Sequence, residues 1–407
     1  MSIWRRPVLT VIGRIRGGAI EIVERGHSTV IGEPGGELHA RVTLHSPRFW
    51  RRMLRGSTGL ADGYVRGEWD CDDLVALATI AGSNMSRLDA VRRRAQFIVG
   101  PVQRLGLMMP RNTRTRGKRQ ISAHYDLGNE LFSTFLDSSM NYSAACFDDP
   151  DQDLESAQIN KMNRIADQLD PGPESHVLET GTGWGGLAIH LAEMTGCRVT
   201  TTTISREQAT LARERIRAAG LEEKIDVLEV DYRDLEGHYD RIVSIEMIEA
   251  VGWQDFPTYF RQCSRLLKPD GAMFLQAIVV YDDAYELEKA SRSFISRYIF
   301  PGGCLPSVGE IRRCLRAETD LAENWLTDIG LDYARTLSIW RERFLKATDR
   351  LQDLGYDERF RRLWLLYLTV AEGGFRSRRN SDVQMLLAKP AFSGRAGRPV
   401  ESGRTAT

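Results

Sequence analysis

The stretch Val177-Leu178-Glu179-Thr180-Gly181-Thr182-Gly183-Trp184-Gly185-Gly186 decides the fold of this 407-residue chain. An apolar run ends on the carboxylate of Glu179, enters a turn crowded with glycine, and continues in a segment with helical periodicity, Leu187–Met194. Glycine suits such a turn because it reaches positive φ at low cost and lets a ligand approach bare backbone. The N-terminal N–H groups of the following helix then face that ligand. The pattern predicts a site for a nucleotide-type cofactor, with a purely structural turn as the alternative.

Two cofactor classes fit this glycine turn. Its glycines also satisfy the dinucleotide fingerprint, which requires a carboxylate about 20 residues further on. The segment Thr200–Ile204 lies at that distance and offers hydroxyl groups but no acid. The carboxylate of Glu179 instead precedes the glycines. This order favours S-adenosylmethionine, whose ammonium group can lie at the end of the strand, over NAD.

The composition is that of an ordinary globular protein, with 42% hydrophobic and 27% charged residues. No apolar run approaches the roughly 18 residues of a membrane span. The segment Val8–Ile12 is too short for the core of a signal peptide. Six cysteines are scattered without the spacing of zinc ligands, so we expect a reducing cytoplasm and no metal site.

The zero net charge conceals an asymmetry along the chain. Residues 1–125 hold 21 Lys and Arg against 10 Asp and Glu, whereas the remainder holds 34 against 45. Between Asp89 and Asp126 there are nine basic residues and no acid, interleaved with apolar side chains. Such a segment fits an arm drawn to an anionic membrane surface at roughly 1 kcal/mol per basic residue. A solvated linker is one alternative, and nucleic-acid binding is disfavoured because no nucleic-acid motif is present.

The pattern of predicted strands and helices divides the chain into four regions. These are a small N-terminal α+β domain (1–90), a basic linker arm (91–119), a large domain (120–392) and a disordered tail (393–407). In the first region we predict strands at 19–24, 28–31 and 38–44 and helices at 48–54 and 70–80, with no visible chemistry.

The large domain alternates strands and helices, which predicts an α/β fold with a doubly wound parallel sheet. Ligands of such sheets bind outside the carboxyl ends of the strands. The positions to examine there are Glu179, Thr203, Asp231, Glu246–Glu249 and Gln276–Ile278. Residues 281–325 interrupt the alternation with a helical insertion. We interpret this insertion as a lid over a hydrophobic substrate, with ordinary core packing as the alternative.

Several motifs, in order and with matching spacing, resemble the cyclopropane-fatty-acyl-phospholipid synthase family, which includes the mycolic acid methyltransferases. Besides the glycine turn they are His124–Phe132, Met140–Ser143, Thr203–Gln208, Asp231–Leu235, Glu246–Gly252 and Tyr298–Ser307. The resemblance covers about residues 20–390. It implies a class I S-adenosylmethionine methyltransferase (Rossmann-like) domain with a helical lid insertion.

The resemblance also implies a reaction. A methyl group passes from S-adenosylmethionine to a cis double bond in an unsaturated acyl chain of a membrane phospholipid and leaves a carbocation. Loss of a proton then gives a cyclopropane, or a methylene branch that a separate reductase turns into a methyl branch. The site must stabilise a cation, exclude water and supply a base. In the family that base is a bicarbonate held by a glutamate, a histidine, a tyrosine and backbone groups.

Carried over residue by residue, the resemblance places the catalytic set at Glu249, Tyr333, Gln276, Ile278 (through its backbone carbonyl) and His124. Gln276 stands where the family has a histidine, and Ala144 where it has a cysteine. The amide of Gln276 donates a hydrogen bond but cannot carry charge or shuttle a proton. The choice between a cyclopropane and a methylene product therefore stays open.

The implied cofactor residues follow the same edge of the sheet. Tyr142, Ser143, Glu179, Gly181 and Gly183 are assigned to the methionine part, Thr203, Ile204 and Gln208 to the ribose, and Asp231 and Tyr232 to the adenine. We expect a cytoplasmic protein that is peripherally bound to the inner face of the membrane, with a homodimer left open. The alternatives are a small-molecule N- or O-methyltransferase and a non-catalytic lipid-binding protein.

Overall fold

The computed structural model describes residues 3–13, 15–86, 89, 127–290 and 293–394. The predicted basic arm, His124 and nearly all of the predicted tail lie outside these residues. The chain divides into two compact units. The first contains Met1–Met109, Glu286–Pro301 and Leu337–Asn380, and the second contains Pro110–Tyr285, Gly302–Thr336 and Ser381–Thr407.

A four-stranded sheet forms the base of the first unit, in the order β2-β1-β3-β4. Its strands are β1 (Gly18–Glu24), β2 (His27–Gly32), β3 (Leu38–Leu44) and β4 (Trp69–Cys71). The three predicted strands are confirmed. The helix predicted from residue 70 is wrong at its start, because residues 69–71 pair with β3 and the helix runs over 74–86. Burial of Trp69 in the core accounts for this pairing.

Helices cover this sheet within the first unit. They include Arg5–Ile12, Arg48–Met53, Gly56–Val65, Phe294–Tyr298, Thr348–Asp353 and Glu358–Arg376. The guanidinium of Arg362 donates to the backbone oxygen of Tyr64 at 2.7 Å and to Asp70 Oδ1 at 2.6 Å. These two hydrogen bonds attach the longest of the helices to the N-terminal segment.

A seven-stranded sheet forms the second unit, in the order β10-β11-β9-β8-β5-β6-β7. Its strands are β5 (His176–Thr180), β6 (Arg198–Thr202), β7 (Ile225–Leu228), β8 (Tyr239–Ile245), β9 (Leu267–Val280), β10 (Ala322–Asp328) and β11 (Asn380–Ala388). The associated helices are Asn129–Ser133, Leu154–Leu169, Gly186–Thr195, Arg206–Ala218, Ile248–Val251, Phe256–Leu266 and Val308–Glu318. The helices Asp282–Ala290 and Gly330–Lys346 each pass from the second unit into the first.

Helices cover both faces of this sheet because its strands are apolar on both sides. Neighbouring residues of one strand enter different cores, as period-two geometry requires. Leu178 and Met273 pack in the core that holds helix Phe256–Leu266, while Val177 and Phe274 pack in the opposite core. The doubly wound α/β fold is confirmed.

The sheet is mixed rather than wholly parallel. Strands β5 to β9 pair in parallel, but β10 and β11 pair antiparallel. Strand β11 was not predicted, because it carries the buried polar residues Asp382 and Gln384 in place of a regular apolar alternation. No helix among the described residues is long and apolar enough to cross a membrane.

Candidate active site

The glycine turn has the predicted strand–turn–helix form. Strand β5 ends at Thr180, and Gly181, Gly183 and Gly185 follow with φ of 100°, 51° and 83°. Only glycine adopts this left-handed region at low cost. A Cβ at Gly183 would meet no atom within 4 Å, so the backbone there is open to a ligand. The helix Gly186–Thr195 starts immediately after the turn.

Glu179 lies buried at the end of β5 beneath this turn. The hydroxyl of Thr201 donates to its Oε2 at 2.5 Å and lies 2.8 Å from the hydroxyl of Thr182. Burial raises the pKa of Glu179 to about 8, although the hydrogen bond from Thr201 opposes this shift. Thr201 belongs to the segment Thr200–Ile204, which contains no acid. Its hydroxyl links the carboxylate of Glu179 to Thr182 in the turn.

The other predicted cofactor residues lie at the same edge. Thr203 Oγ1 donates to Gln208 Oε1 at 2.7 Å and accepts from the N–H of Ser205 at 3.1 Å, which fixes the loop containing Ile204. Asp231 lies shortly after the end of β7 at Leu228. The guanidinium of Arg233 donates to both carboxylate oxygens of Asp231, at 2.8 and 2.6 Å. These side chains surround the carboxyl ends of β6 and β7.

Aromatic packing brings the segment with Tyr142 and Ser143 against the glycine turn. The rings of Tyr142 and Trp184 both pack on Phe132, with centroid distances of 5.2 and 4.9 Å. The hydroxyl of Ser143 accepts a hydrogen bond of 2.6 Å from Lys161 Nζ. The structure therefore gathers the predicted methionine-binding residues in one region.

A second group of polar side chains lies where β8, β9 and β11 meet, and we call Glu246, Glu249 and Asp382 the carboxyl cluster. Glu246 Oε1 accepts from the backbone N–H of Ala144 at 2.8 Å and from Gln276 Nε2 at 2.7 Å. Its Oε2 accepts from the hydroxyl of Tyr333 at 2.7 Å. Three donors thus converge on the carboxylate of Glu246, a half-buried residue. Burial raises the pKa of Glu246, and the three hydrogen bonds together with the charge of Lys161 oppose this shift and favour the ionised form.

Gln276 links Glu246 to Asp382 and is itself oriented by Gln384. Its Nε2 also donates to Asp382 Oδ2 at 3.0 Å, and its Oε1 accepts from Gln384 Nε2 at 2.9 Å. Gln276, Gln384 and Asp382 are fully buried. Because Gln384 occupies the amide oxygen, the NH₂ group of Gln276 must point at the two carboxyl groups.

Glu249, on the short helix Ile248–Val251, has fewer partners. Its Oε1 accepts from the backbone N–H of Ile278 at 2.5 Å, while its buried Oε2 has no hydrogen-bond partner among the described residues. Burial and the charge of Glu246 raise the pKa of Glu249 to about 8. Glu249 therefore holds its proton more tightly than an ordinary carboxyl group.

Lys161 is the buried cation beside the carboxyl cluster. Burial lowers the pKa of its ammonium group, and the charge of Glu246 acts in the opposite direction. Its hydrogen bond to Ser143 joins the cofactor segment to the cluster. No group of three or more His, Cys, Asp or Glu side chains in the described parts of the chain is placed to hold a metal ion.

The backbone of Glu246 is strained. Its φ is 49°, in the left-handed region that costs a residue with a Cβ roughly 1–2 kcal/mol. The N–H of Glu246 donates to the backbone oxygen of Gln276 at 2.9 Å, so the strained residue is held at the end of β8. Strain of this kind clusters at functional sites.

Bicarbonate, which the family resemblance implies, does not fit these residues. The donors expected to bind it, from Ala144, Gln276 and Tyr333, all bind the carboxylate of Glu246. The N–H of Ile278 donates to Glu249, and the role of its carbonyl stays a prediction. The carboxylate of Glu246 therefore already occupies the donors that were expected to bind bicarbonate.

Sequence reasoning missed several residues of this site. Glu246 was noted as the end of a strand but given no role, although a carboxylate three residues before Glu249 was a usable signal. Lys161 lies in no motif that the sequence analysis singled out. Asp382 lies on a strand that was not predicted. His124 remains a prediction, because it lies outside the described residues.

The glycine turn, its threonine and glutamate supports and the parallel sheet define a class I S-adenosylmethionine-dependent methyltransferase. The profile of the mycolic acid cyclopropane synthetase family matches residues 112–385, and the chain belongs to this family. It is similar to the tuberculostearic acid methyltransferase UfaA1 of Mycobacterium tuberculosis (strain ATCC 25618 / H37Rv), at 38% identity over 82% of this chain and 80% of the relative.

Two further relatives agree with this assignment. The cyclopropane-fatty-acyl-phospholipid synthase of Escherichia coli (strain K12) is 37% identical over 86% of this chain and 87% of its own length. The crystal structure of mycolic acid cyclopropane synthase CmaA1 complexed with SAH and CTAB superposes with a TM-score of 0.63 at 28% identity, covering 67% of this chain and 98% of that one. S-adenosylmethionine is the methyl donor.

Proposed function

We propose that this methyltransferase transfers a methyl group from S-adenosylmethionine to a cis double bond in the acyl chain of a membrane phospholipid. The observation that carries the proposal is the carboxylate of Glu246, bound by three donors beside the cofactor segment. Two relatives support it, since one is named as a tuberculostearic acid methyltransferase and the other as a cyclopropane-fatty-acyl-phospholipid synthase.

An alkene that accepts a methyl cation becomes a carbocation, so the site must supply negative charge and a base. Glu246 supplies both in this proposal. Glu246 is half-buried as a residue, and the charge of its carboxylate acts more strongly in surroundings that exclude water. Ala144, Gln276 and Tyr333 hold the carboxylate in place before the reaction, so that little reorganisation is required when the cation forms.

The cation loses a proton to Glu246 in the second step. A C–H bond breaks, an O–H bond forms on the carboxylate, and the released electron pair forms a carbon–carbon bond. Direct loss of a proton from the added methyl closes a cyclopropane ring. A methylene branch forms instead when a hydride first moves from the methyl-bearing carbon to the neighbouring cationic carbon and the methyl then loses its proton. The product depends on whether this hydride shift precedes the proton transfer to Glu246, and a methylene branch would need a separate reductase for conversion to a methyl branch.

The acyl chain must reach the protein from a bilayer, so the proposal includes peripheral association with an anionic membrane. The basic arm at 91–119 supplies the charge for it. Binding to vesicles with anionic phospholipids, measured by co-sedimentation, should fall as salt concentration rises, because salt screens exposed charges.

Mass spectrometry of membrane lipids from an expressing host fed methyl-labelled methionine tests the proposed activity. We expect unsaturated chains to gain one labelled carbon, and fragmentation separates ring from branch. A host expressing the Glu246→Gln variant is the matched control and should show little labelled product. Unchanged lipids with labelled methyl groups on a soluble amine would contradict the proposal.

A further inference from the structure

Asp382 lies next to Glu246 and has no part in the reaction proposed above. It is fully buried on β11. A single nitrogen, Nε2 of Gln276, donates to Glu246 Oε1 at 2.7 Å and to Asp382 Oδ2 at 3.0 Å. The two carboxyl groups therefore share one NH₂ group. Two adjacent carboxyl groups in a buried site do not both ionise readily.

The hydrogen bonds decide which of the two carries the charge. Glu246 accepts three, whereas Asp382 accepts the one from Gln276, and its buried Oδ1 has no hydrogen-bond partner among the described residues. Donors stabilise an anion, and a buried anion with few donors is costly. The negative charge therefore resides on Glu246, and a proton belongs on Asp382.

The amide of Gln276 can neither supply that proton nor take it up. Its amide oxygen accepts from Gln384 at 2.9 Å, so its two N–H groups are fixed toward the carboxyl groups. An amide neither gains nor loses a proton in this pH range. Any proton that the pair exchanges must reside on a carboxyl oxygen.

We propose that Asp382 carries a proton at neutral pH and shares it with Glu246, so that the pair bears a single negative charge. Asp382 is then a positioning residue that keeps Glu246 ionised. Its effect on turnover rests on the proposed function, but its protonation does not. Burial and the charges of Glu246 and Glu249 raise the pKa of Asp382 well above its ordinary value, which agrees with this geometry.

The charged and titratable groups around the pair come from several elements. They are Glu249 on helix Ile248–Val251, Lys161 on helix Leu154–Leu169, Tyr333 on helix Gly330–Lys346, and Arg164, which reaches the pair through Gln384. Lys161 provides one buried positive charge, which matches a pair that holds one negative charge rather than two.

Infrared difference spectroscopy tests the protonation directly and needs no turnover. The spectrum of the wild type minus Asp382→Asn should contain the carbonyl band of a protonated carboxyl group, unchanged between about pH 6 and 8. Wild type minus Glu249→Gln locates the separate band of Glu249. Absence of a band that depends on Asp382 would overturn the proposal.

Kinetics test the positioning role. A side-chain hydrogen bond to Glu246 is one of the causes that raise the pKa of Asp382. The amide introduced by Asp382→Asn can also donate to Glu246, so we expect turnover within about threefold of the wild type. Asp382→Leu removes the donor and should lower turnover about 10- to 100-fold, the usual effect of losing a hydrogen bond to a charged group. SAH binding, measured by calorimetry, verifies that each variant is folded.

Asp240→Asn is the control, because Asp240 lies at the opposite end of β8 and binds Lys268 at 2.7 Å. Equal losses in Asp382→Asn and Asp382→Leu would mean that Asp382 must ionise, and no loss in either would mean that it does not position Glu246. Both results overturn the proposal. A wild type that leaves lipids unchanged contradicts the proposed function alone, because the infrared result still decides the protonation of Asp382.

Discussion

Replacing Glu246 with glycine should produce an enzyme that depends on an added anion. The variant removes the carboxylate and leaves the donors of Ala144, Gln276 and Tyr333 without their acceptor. Glycine also relieves the φ of 49° at this position, a gain of about 1–2 kcal/mol that offsets part of the lost side-chain contacts. We therefore expect a folded protein with an empty anion site.

The size of the kinetic effect follows from the role of Glu246. Loss of a positioned base lowers turnover about 10²- to 10⁴-fold, which corresponds to about 3–5 kcal/mol in the barrier. Formate or bicarbonate is small enough to take the place of the carboxylate and can accept the same hydrogen bonds. Turnover of Glu246→Gly should rise by about tenfold or more with added anion and then saturate.

The assay follows transfer of labelled methyl from S-adenosylmethionine to vesicles of unsaturated phospholipid, in buffer purged of carbon dioxide. Glu246→Gln is the matched control, because its amide fills the space and should block rescue. SAH binding confirms that both variants are folded. Turnover of Glu246→Gly within about threefold of the wild type without added anion, or no response to any anion, would refute the reasoning.

Three further predictions follow from the buried charges. Lys161→Met removes a charge that lowers the pKa of Glu246, so the acid limb of the kcat profile should move to higher pH; an unchanged limb would contradict this. Thr201→Val should weaken SAH binding by about tenfold in calorimetry, because Glu179 loses its donor, whereas Thr200→Val should not. The pKa of Glu249 is raised from 4.5 to about 8, so the folded state keeps a proton that the unfolded state loses. The unfolding free energy in urea should therefore fall as pH rises through that window, by up to about 1.4 kcal/mol per pH unit, and Glu249→Gln should flatten the fall.

Much of the fold could be predicted from the sequence because its signals are local. The glycine turn, the helix Leu154–Leu169 and the strands beside them each rest on a periodicity or a turn within a few residues. Strand β11 was harder to predict from the sequence. Strand β11 begins with Asn380 and carries buried Asp382 and Gln384, and such side chains resemble a surface loop until their partners are known.

The candidate site, like the fold, was predicted only in part. Glu249, Tyr333 and Gln276 were assigned through the family resemblance, and the structure brings all three to one place. Their partner was not foreseen, because the convergence of Ala144, Gln276 and Tyr333 on Glu246 joins residues up to 189 positions apart. Hydrogen bonds between residues so far apart leave no pattern in a single sequence, whereas the threonine run beside the glycine turn is visible in the sequence itself.

The position of β11 has a consequence for how the protein is made. It is the last strand in the described part of the chain, yet it lies between β9 and β10 in the sheet. During synthesis at roughly 5–20 residues per second, β10 is made before β11. Because β10 joins the sheet by pairing with β11, it cannot do so until β11 has been made. Asp382 arrives with that strand, so Glu246 and Gln276 remain without it until the end. A chain that stops before residue 380 would thus have the glycine turn without a completed carboxyl cluster.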